Sequence, residues 1–454
     1  MIEKFKELLS SNQVISGSSV EAQPFLVEKR GNFKSACSCI VLPKNTSEVS
    51  KVVSFCHQNN ISIVPQAGNT GLVGGGVAND KQIILSAKLM NSIIEVDTEN
   101  FSITVESGSI LKDIQNIVSK HNRYFPLSLP SENTCCIGGN LATNAGGISV
   151  LKYGNTRDLT LGLEVVLPDG SIYSDLNKLR KRNIGSDLKH LFIGSEGTLG
   201  FITKACLKIF PKPKKILNVL ITLNDIDEAE EYFQKIYNEY SSSLSSFELF
   251  NHNALSVVKK HHDLKFSFKN SSWYIIMAFD ILEENHNITE FIAKINKPHN
   301  EYIITEDKSI WDYRYLIPTS QTSFGQSLKH DVATPLSKMA SFIKKSLNDL
   351  ESKYPKLLMP VIFGHMGDGN LHFNISPQDS AYNLMALKPE IKAIIVENVM
   401  AMDGSFSSEH GVGLVHKEEF KKFYFKNQYN NLRLIKQTLD SKNIFNPHKI
   451  LDIN

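Results

Sequence analysis

Glycine-rich segments are the feature of this sequence that most restricts its fold. They lie at 65–76, 138–147 and 194–200, and the first holds five glycines in twelve residues. Glycine permits positive φ and exposes backbone N–H groups, so this segment predicts a backbone nest for phosphate. It has neither the Gly-x-Gly-x-x-Gly helix start of a Rossmann fold nor the Gly-Lys-Ser/Thr of a P-loop. A glycine-rich loop at a barrel-like bend, without a ligand, is the alternative.

The segments around these loops predict an α+β fold. Val49, Val52, Val53 and Cys56 give helical spacing to a segment that ends near Asn59, with Ser47 as its predicted cap. After the first glycine segment, three strand-like stretches precede one helix-like stretch, which is not a regular βα alternation. The second half of the chain predicts an antiparallel sheet with helices on one face.

Composition divides the chain and excludes several classes of protein. The Pro-Lys-Pro-Lys-Lys segment at 211–215 predicts a boundary, which gives domains 1–213 and 214–404 and a C-terminal segment 405–454. A net charge of +2 gives no argument for nucleic-acid binding. All six cysteines lie in the first half without a Cys-x-x-Cys pair, which favours reduced thiols and a cytoplasmic location. We find no secretory signal and no run of 18 apolar residues that predicts a membrane span.

A histidine pair in the second half carries the strongest chemical signal. His365 and His372 are seven residues apart, so on one continuous strand they would face opposite ways. The Gly-Asp-Gly between them is typical of a turn, which would fold the chain back and bring both imidazoles to one point. Glu409 adds a carboxylate, and two His with one Glu suit zinc or a similar divalent ion. The alternative is a pair of hairpin histidines with a structural role.

The order of these motifs resembles a known family. Three glycine segments, the histidine pair, the Ser-Glu-His-Gly at 408–411 and the Asn-Pro-x-Lys-Ile-Leu at 446–451 are similar to the flavin-dependent D-2-hydroxyacid dehydrogenases of the vanillyl-alcohol-oxidase superfamily. The resemblance extends from about residue 35 to the end. It implies an FAD-binding domain of vanillyl-alcohol-oxidase type, with its core at about 35–213, and a substrate cap domain with an antiparallel sheet and helices.

The resemblance also implies roles for individual residues. The segment near Asn446 would return to the flavin domain. The implied FAD-binding residues are Pro65, Gln66, Ala67, Gly68, Asn69, Thr70, Gly71, Ser128, Gly138, Gly139, Asn140, Thr143, Asn144, Gly146, Gly147, Glu196, Gly200, Ile202 and Asn446. The implied metal ligands are His365, His372 and Glu409, the implied catalytic base is His410, and the implied substrate-binding residues are Arg314, Lys329 and Asn374.

One departure from the family pattern leaves the substrate open. The D-2-hydroxyglutarate enzymes have a threonine four residues after the arginine, and this chain has Pro318 there, which has no hydroxyl and no N–H. Thr319 or Ser320 could replace that hydroxyl if the loop shifts. The expected substrate is D-2-hydroxyglutarate or a related D-2-hydroxy diacid, and D-lactate or glycolate is the alternative. We expect non-covalent FAD, because 65–76 holds no His or Cys.

The remaining expectations concern the electron acceptor, the metal, the oligomeric state and two rival functions. No second redox centre is visible, so electrons are expected to leave to an electron-transfer flavoprotein or a quinone. The metal is expected to be zinc, with manganese and cobalt as alternatives. The oligomeric state is left open, with a homodimer as one alternative. A flavin-free metal hydrolase leaves the glycine segments unexplained, and intact His365, His372, Glu409 and His410 argue against a non-catalytic binding protein.

Overall fold

The chain forms two compact units in the computed structural model. One unit comprises Met1–Gly147, Gly154–Lys212 and Glu409–Asn454, and the other comprises Ile148–Tyr153 and Pro213–Ser408. The sequence did not predict that the short segment Ile148–Tyr153 belongs to the second unit. The structure describes residues 1–264, 268–283, 287–379, 382–424 and 426–453.

The strands of both units are numbered in chain order. Those of the first unit are β1 (Val14–Ser16), β2 (Cys39–Val41), β3 (Ile63–Gln66), β4 (Ile83–Ser86), β5 (Ile93–Asp97), β6 (Ser102–Glu106), β7 (Arg123–Tyr124), β8 (Thr160–Val166), β9 (Ile172–Asp175), β10 (Phe201–Lys208) and β11 (Phe210–Pro211). Those of the second unit are β12 (Lys215–Leu223), β13 (Leu244–Asn251), β14 (Trp273–Ile281), β15 (Tyr302–Thr305), β16 (Asp331–Ala333), β17 (Leu358–Gly364) and β18 (Asn370–Pro377).

The α-helices are numbered in the same way. Before the boundary at Lys212 they are α1 (Ile2–Leu8), α2 (Gln23–Leu26), α3 (Thr46–Asn59), α4 (Leu111–Lys120), α5 (Ile137–Ala142), α6 (Val150–Tyr153), α7 (Thr156–Leu159) and α8 (Lys189–Phe192). After it they are α9 (Ile226–Tyr240), α10 (His252–His261), α11 (Ile288–Ile295), α12 (Asp312–Tyr315), α13 (Ile317–Phe324), α14 (Met339–Lys353), α15 (Lys388–Ala401), α16 (Lys417–Phe423) and α17 (Lys426–Leu439).

The first unit contains two larger sheets. One has the order β1-β2-β4-β3, and the other is five-stranded in the order β5-β6-β10-β8-β9. Helix α3 packs on the first sheet through the apolar stripe that the sequence predicted, and every residue of that stripe is buried. Its cap differs from the prediction, since the side chain of Asn45 rather than Ser47 accepts the N–H of Glu48.

The second unit is built on one seven-stranded sheet in the order β15-β12-β14-β13-β17-β18-β16. Leu371, Phe373 and Ile375 alternate with polar residues along β18 and point to the core that includes α9 and α14. Val361 and Phe363 point the other way, into a second core that includes α10. The prediction of helices on one face is therefore wrong, because both faces of the central strands are apolar and each is covered.

No α-helix in the described part of the chain is long and apolar enough to cross a membrane.

Candidate active site

The three glycine-rich segments surround one cavity in the first unit. Its empty volume is about 1200 Å³, a figure that includes its solvent-filled mouth. Gly68 lies where the chain passes close to a neighbouring segment, since a Cβ there would be 2.4 Å from the carbonyl oxygen of Thr134. His410, on the segment that returns from the second unit, also lines this cavity.

Most of the FAD-binding residues that the resemblance implied line this cavity. Those that do not line it are Ser128, Asn144, Gly146, Gly147 and Asn446. Those that line it are Pro65, Gln66, Ala67, Gly68, Asn69, Thr70, Gly71, Gly138, Gly139, Asn140, Thr143, Glu196, Gly200 and Ile202.

Buried polar atoms at the wall of the cavity fit a large polar ligand. Gln66 Oε1, Ser107 Oγ and Asn140 Oδ1 are buried and have no hydrogen-bond partner within the described part of the chain. A buried polar atom without a partner costs free energy, so such atoms are kept where a ligand or water pairs with them. Together with the exposed backbone of the glycine segments, they are suited to the ring edges and phosphates of FAD.

The C-terminal segment is fixed to the glycine segments by four part-buried hydrogen bonds. The Asn446 amide donates to the carbonyl oxygens of Gly75, at 3.1 Å, and Glu196, at 2.8 Å. The Glu196 carboxylate accepts the backbone N–H groups of Val412, at 2.7 Å, and Gly413, at 2.8 Å. Burial raises the pKa of Glu196 to about 7, although those donors and Lys449 oppose the rise. Glu196 thus holds the chain that follows His410.

The bend at His410 follows from the next residue. Gly411 has a φ of +82°, a conformation that glycine adopts without strain. A Cβ there would also lie 2.6 Å from Glu196 Oε1. The chain therefore turns directly after His410.

Two cysteines line the same cavity, which the sequence did not reveal. Cys135 and Cys136 are both buried. Burial raises the pKa of the Cys136 thiol to about 11, so this thiol is protonated and a poor nucleophile at neutral pH.

In the second unit, β17 and β18 form the hairpin that the Gly-Asp-Gly predicted. His372 lies opposite Phe363 in the strand register, and their rings are 4.9 Å apart. His365 directly follows β17, and ligand nitrogens of His365 and His372 lie within 4.8 Å of each other. Glu409 directly follows Ser408, the last residue of the second unit. The predicted convergence of the two imidazoles is confirmed.

A buried glutamate that sequence reasoning missed connects this pair to a cation. Glu248 Oε1 contacts Nδ1 of His365, and its Oε2 accepts the Nε–H of Arg314 at 2.7 Å. Burial alone would raise the pKa of Glu248, but His365 and Arg314 lower it to about 2. The one signal in the sequence was a carboxylate inside the otherwise apolar stretch Phe247-Glu-Leu-Phe250.

Arg314 has further contacts that fix its direction. Its guanidinium lies over the Phe363 ring, with 4.7 Å to the ring centroid. Its terminal Nη groups make no hydrogen bond to other residues that the structure describes. Arg314 is therefore held by its Nε–H and its flat face, which leaves its fork for a carboxylate.

Lys329 and Asn374 lie on the same face of the sheet as the histidine pair. Asp331 is opposite His372 and Leu328 is opposite Ile375, so the register sets Lys329 opposite Asn374. The Asn374 amide donates to Gln321 Oε1 at 2.9 Å, a contact that the sequence did not indicate.

The loop that departs from the family pattern begins a helix. Pro318 is near the first turn of α13, where its missing N–H costs nothing. Thr319 is exposed and donates to the carbonyl oxygen of Leu316. Ser320 is buried, its Oγ atom is buried too, and its hydroxyl has no partner in the described part of the chain.

Comparisons with known proteins agree with this architecture. A family model of the FAD binding domain matches residues 37–175, and a model of the C-terminal domain of FAD linked oxidases matches residues 212–450. The solved structure of p-cresol methylhydroxylase with substrate bound has a TM-score of 0.77 at 18% identity, with 100% of this chain and 96% of that chain covered. The two family models define the class, a two-domain FAD-linked oxidase, and the solved structure shows the same fold.

Curated relatives narrow this class. A D-2-hydroxyglutarate–pyruvate transhydrogenase of Saccharomyces cerevisiae is 31% identical, over 98% of this chain and 93% of the relative. A D-2-hydroxyglutarate dehydrogenase, mitochondrial, of Danio rerio is 34% identical, over 91% of this chain and 78% of the relative. This chain belongs to the family of FAD-dependent D-2-hydroxyacid dehydrogenases. It is an FAD-dependent oxidoreductase.

The predicted cytoplasmic location is contradicted by these relatives. Those of Danio rerio, Arabidopsis thaliana and Bos taurus are all named as mitochondrial. The prediction was wrong because it depended on the reduced state of the thiols, and reduced thiols occur in more than one compartment.

Proposed function

We propose that this protein oxidises a D-2-hydroxy diacid, D-2-hydroxyglutarate or a close analogue, to the 2-oxoacid with the aid of a divalent metal. The observation that carries the proposal is the joint position of His365, His372, Lys329 and Asn374 on one face of one sheet. Non-covalent FAD, when bound, accepts the hydride from the substrate carbon. Protonated thiols at the cavity wall support non-covalent attachment.

Metal ligands are proposed at His365, His372 and Glu409. His365 uses Nδ1 for Glu248, which leaves Nε2 for a metal, the usual arrangement when a carboxylate supports a ligating histidine. Glu409 is tethered to the second unit by its peptide bond to Ser408. This donor set suits zinc, with manganese and cobalt as alternatives, and the metal would lower the pKa of the substrate hydroxyl.

The remaining residues bind the substrate and move a proton. A neutral imidazole accepts a proton well near pH 7, which fits His410 as the base for the substrate hydroxyl. Arg314 offers its fork and Lys329 a point charge to carboxylates, and Asn374 offers an amide hydrogen. Two cations favour a substrate with two carboxylates over D-lactate or glycolate.

An anaerobic titration tests this function. The visible absorbance of the flavin is followed while D-2-hydroxyglutarate, D-malate, D-lactate and glycolate are added in turn. We expect bleaching with the lowest half-saturation for a diacid. Equal or better bleaching by D-lactate favours the monoacid alternative, for which a Schizosaccharomyces pombe relative named as a putative D-lactate dehydrogenase gives support. No bleaching by any acid contradicts the proposal.

The electron acceptor is tested with the same reduced protein. We propose an electron-transfer flavoprotein or a quinone, and the name of the Saccharomyces cerevisiae relative favours a second candidate, a 2-oxoacid such as pyruvate. Return of the flavin absorbance on adding pyruvate under anaerobic conditions supports the second candidate. Return only with a quinone or a flavoprotein supports the first.

A further inference from the structure

Glu248 is a carboxylate in the interior of the second unit's sheet. It is fully buried in β13 between Phe247 and Leu249, which belong to the apolar core. Leu249 lies opposite Gly364 in the register with β17, so Glu248 lies opposite His365. Its side chain therefore points to the face that carries the histidine pair and away from the core that includes α9 and α14.

Each oxygen of this carboxylate has its own partner. Oε2 accepts the Nε–H of Arg314 at 2.7 Å, and Oε1 contacts Nδ1 of His365. Arg314 and His365 come from different elements, helix α12 and the end of β17, and neither is a sequence neighbour of the other. One buried group thus connects a residue proposed for the substrate with a residue proposed for the metal.

We propose that Glu248 is a positioning residue that orients His365 for the metal and Arg314 for the substrate carboxylate, so that the two affinities are coupled. This inference rests on the proposed function of the site. A carboxylate at Nδ1 fixes the tautomer and the ring direction of a histidine that ligates through Nε2. A carboxylate at Nε of an arginine leaves its two Nη groups as a fork in one plane. A group that only filled space or neutralised charge would stabilise the fold without setting either affinity.

The matched control is another carboxylate with the same kinds of partner. Glu228 Oε1 lies 2.8 Å from Nε2 of His299 and 3.6 Å from Nζ of Lys297. It is in the same unit, and none of these residues belongs to the proposed site. Glu248→Gln and Glu228→Gln therefore each remove a carboxylate charge that pairs with a histidine and a cation, and Glu228 is the less buried of the two.

The experiment measures metal affinity and substrate affinity separately. Zinc affinity is determined by competition with a chelator on the FAD-bound protein, and KM and kcat are determined with D-2-hydroxyglutarate. We expect Glu248→Gln to lower zinc affinity about 10–100-fold and to raise KM, while Glu228→Gln leaves both unchanged. Far-UV circular dichroism and thermal unfolding report whether each variant is folded. Wild-type zinc affinity and KM in a folded Glu248→Gln contradict the inference, as does a wild-type protein that binds no zinc.

A double-mutant cycle separates coupling from loss of stability. If Glu248 acts on substrate through Arg314, Glu248→Gln causes no further rise of KM in an Arg314→Ala background. Additive effects contradict that part of the inference. If Glu248→Gln does not fold, Glu248→Asp gives the same readouts, because it keeps the charge but is too short to contact both partners. Wild-type affinities in Glu248→Asp contradict the inference.

The metal measurement is independent of the reaction. A wild-type protein that binds zinc but whose flavin no acid bleaches contradicts the proposed function, while its zinc affinity still tests Glu248.

Discussion

The two units of this protein build their candidate sites from different material. The first unit surrounds its cavity with glycine-rich backbone and small side chains, and polar atoms such as Gln66 Oε1 have no hydrogen-bond partner among the residues that the structure describes. The second unit builds its site from charged side chains on one sheet face, and Glu248 pairs with Arg314 and His365. A backbone site is sensitive to an added Cβ, and a side-chain site is sensitive to the loss of a single charge or ligand.

The largest effect is expected at the histidine pair. His372→Ala removes a proposed metal ligand, so kcat/KM should fall at least about 100-fold while FAD content stays normal. His299→Ala is the control, because His299 lies in the same unit but bonds only to Glu228 among the contacts described. Turnover near the wild-type rate in folded His372→Ala would show that the metal site is not needed.

The second prediction concerns the backbone of the flavin cavity. Gly68→Val forces side-chain atoms into the backbone at Thr134, which should destabilise the first unit by about 2–3 kcal/mol and lower FAD content. A Cβ on Gly71 meets no atom within 4 Å, so the free energy of unfolding of Gly71→Ala should lie within about 0.5 kcal/mol of the wild-type value. Thermal unfolding measures the stability of both variants, and flavin absorbance measures their FAD content. Equal effects at the two glycines would remove the contrast between the backbone-built site of the first unit and the side-chain-built site of the second.

A smaller effect is expected at Lys329. Lys329→Met should raise KM for D-2-hydroxyglutarate about 10-fold and change kcat/KM for D-lactate much less, because only the diacid uses the second cation. Lys338→Met is the control, since Lys338 pairs with Asp403 elsewhere in the same unit. Equal losses with both acids would mean that Lys329 does not select the diacid.

The fourth prediction is a pH dependence in the first unit. Burial raises the pKa of Glu196 from 4.5 to about 7, and Lys449 is the charged group that faces it. The folded state therefore binds the Glu196 proton more tightly than the unfolded state, and this contribution to stability is lost as pH rises from 4.5 through 7. The wild type should lose about 1–3 kcal/mol relative to Glu196→Gln across that window.

Thermal unfolding of both proteins at a series of pH values measures this difference. A constant difference between pH 4.5 and 8 would mean that Glu196 is ionised throughout, with its two N–H donors prevailing over burial.

The sequence predicted the first unit's site more completely than the second unit's. Glycine segments are visible without a structure, and most of the residues that the resemblance implied line one cavity. The histidine hairpin was predictable because Gly-Asp-Gly between the histidines is turn chemistry. The position of Cys135 and Cys136 at the cavity wall was not predictable, because it depends on how α5 packs into that wall.

Contacts between distant strands explain what the sequence could not show. Glu248 is 117 residues from His365, and only the register of β13 with β17 brings them together. Gln321 and Asn374 are 53 residues apart in the sequence, and the hydrogen bond between them likewise depends on how distant segments pack. The segment Ile148–Tyr153 joins the second unit through contacts such as the 2.6 Å bond from Tyr153 to Asp280, which local patterns do not encode.

In the proposed reaction, flavin reduction by a D-2-hydroxyacid depends on a metal held at the histidine pair. The most direct measurement is the anaerobic rate of flavin bleaching by D-2-hydroxyglutarate in untreated, chelator-treated and metal-reconstituted protein. The account predicts a rate at least about 100-fold lower after chelation, and its recovery on adding zinc or manganese. An unchanged rate in metal-free protein, with FAD still bound, would contradict it.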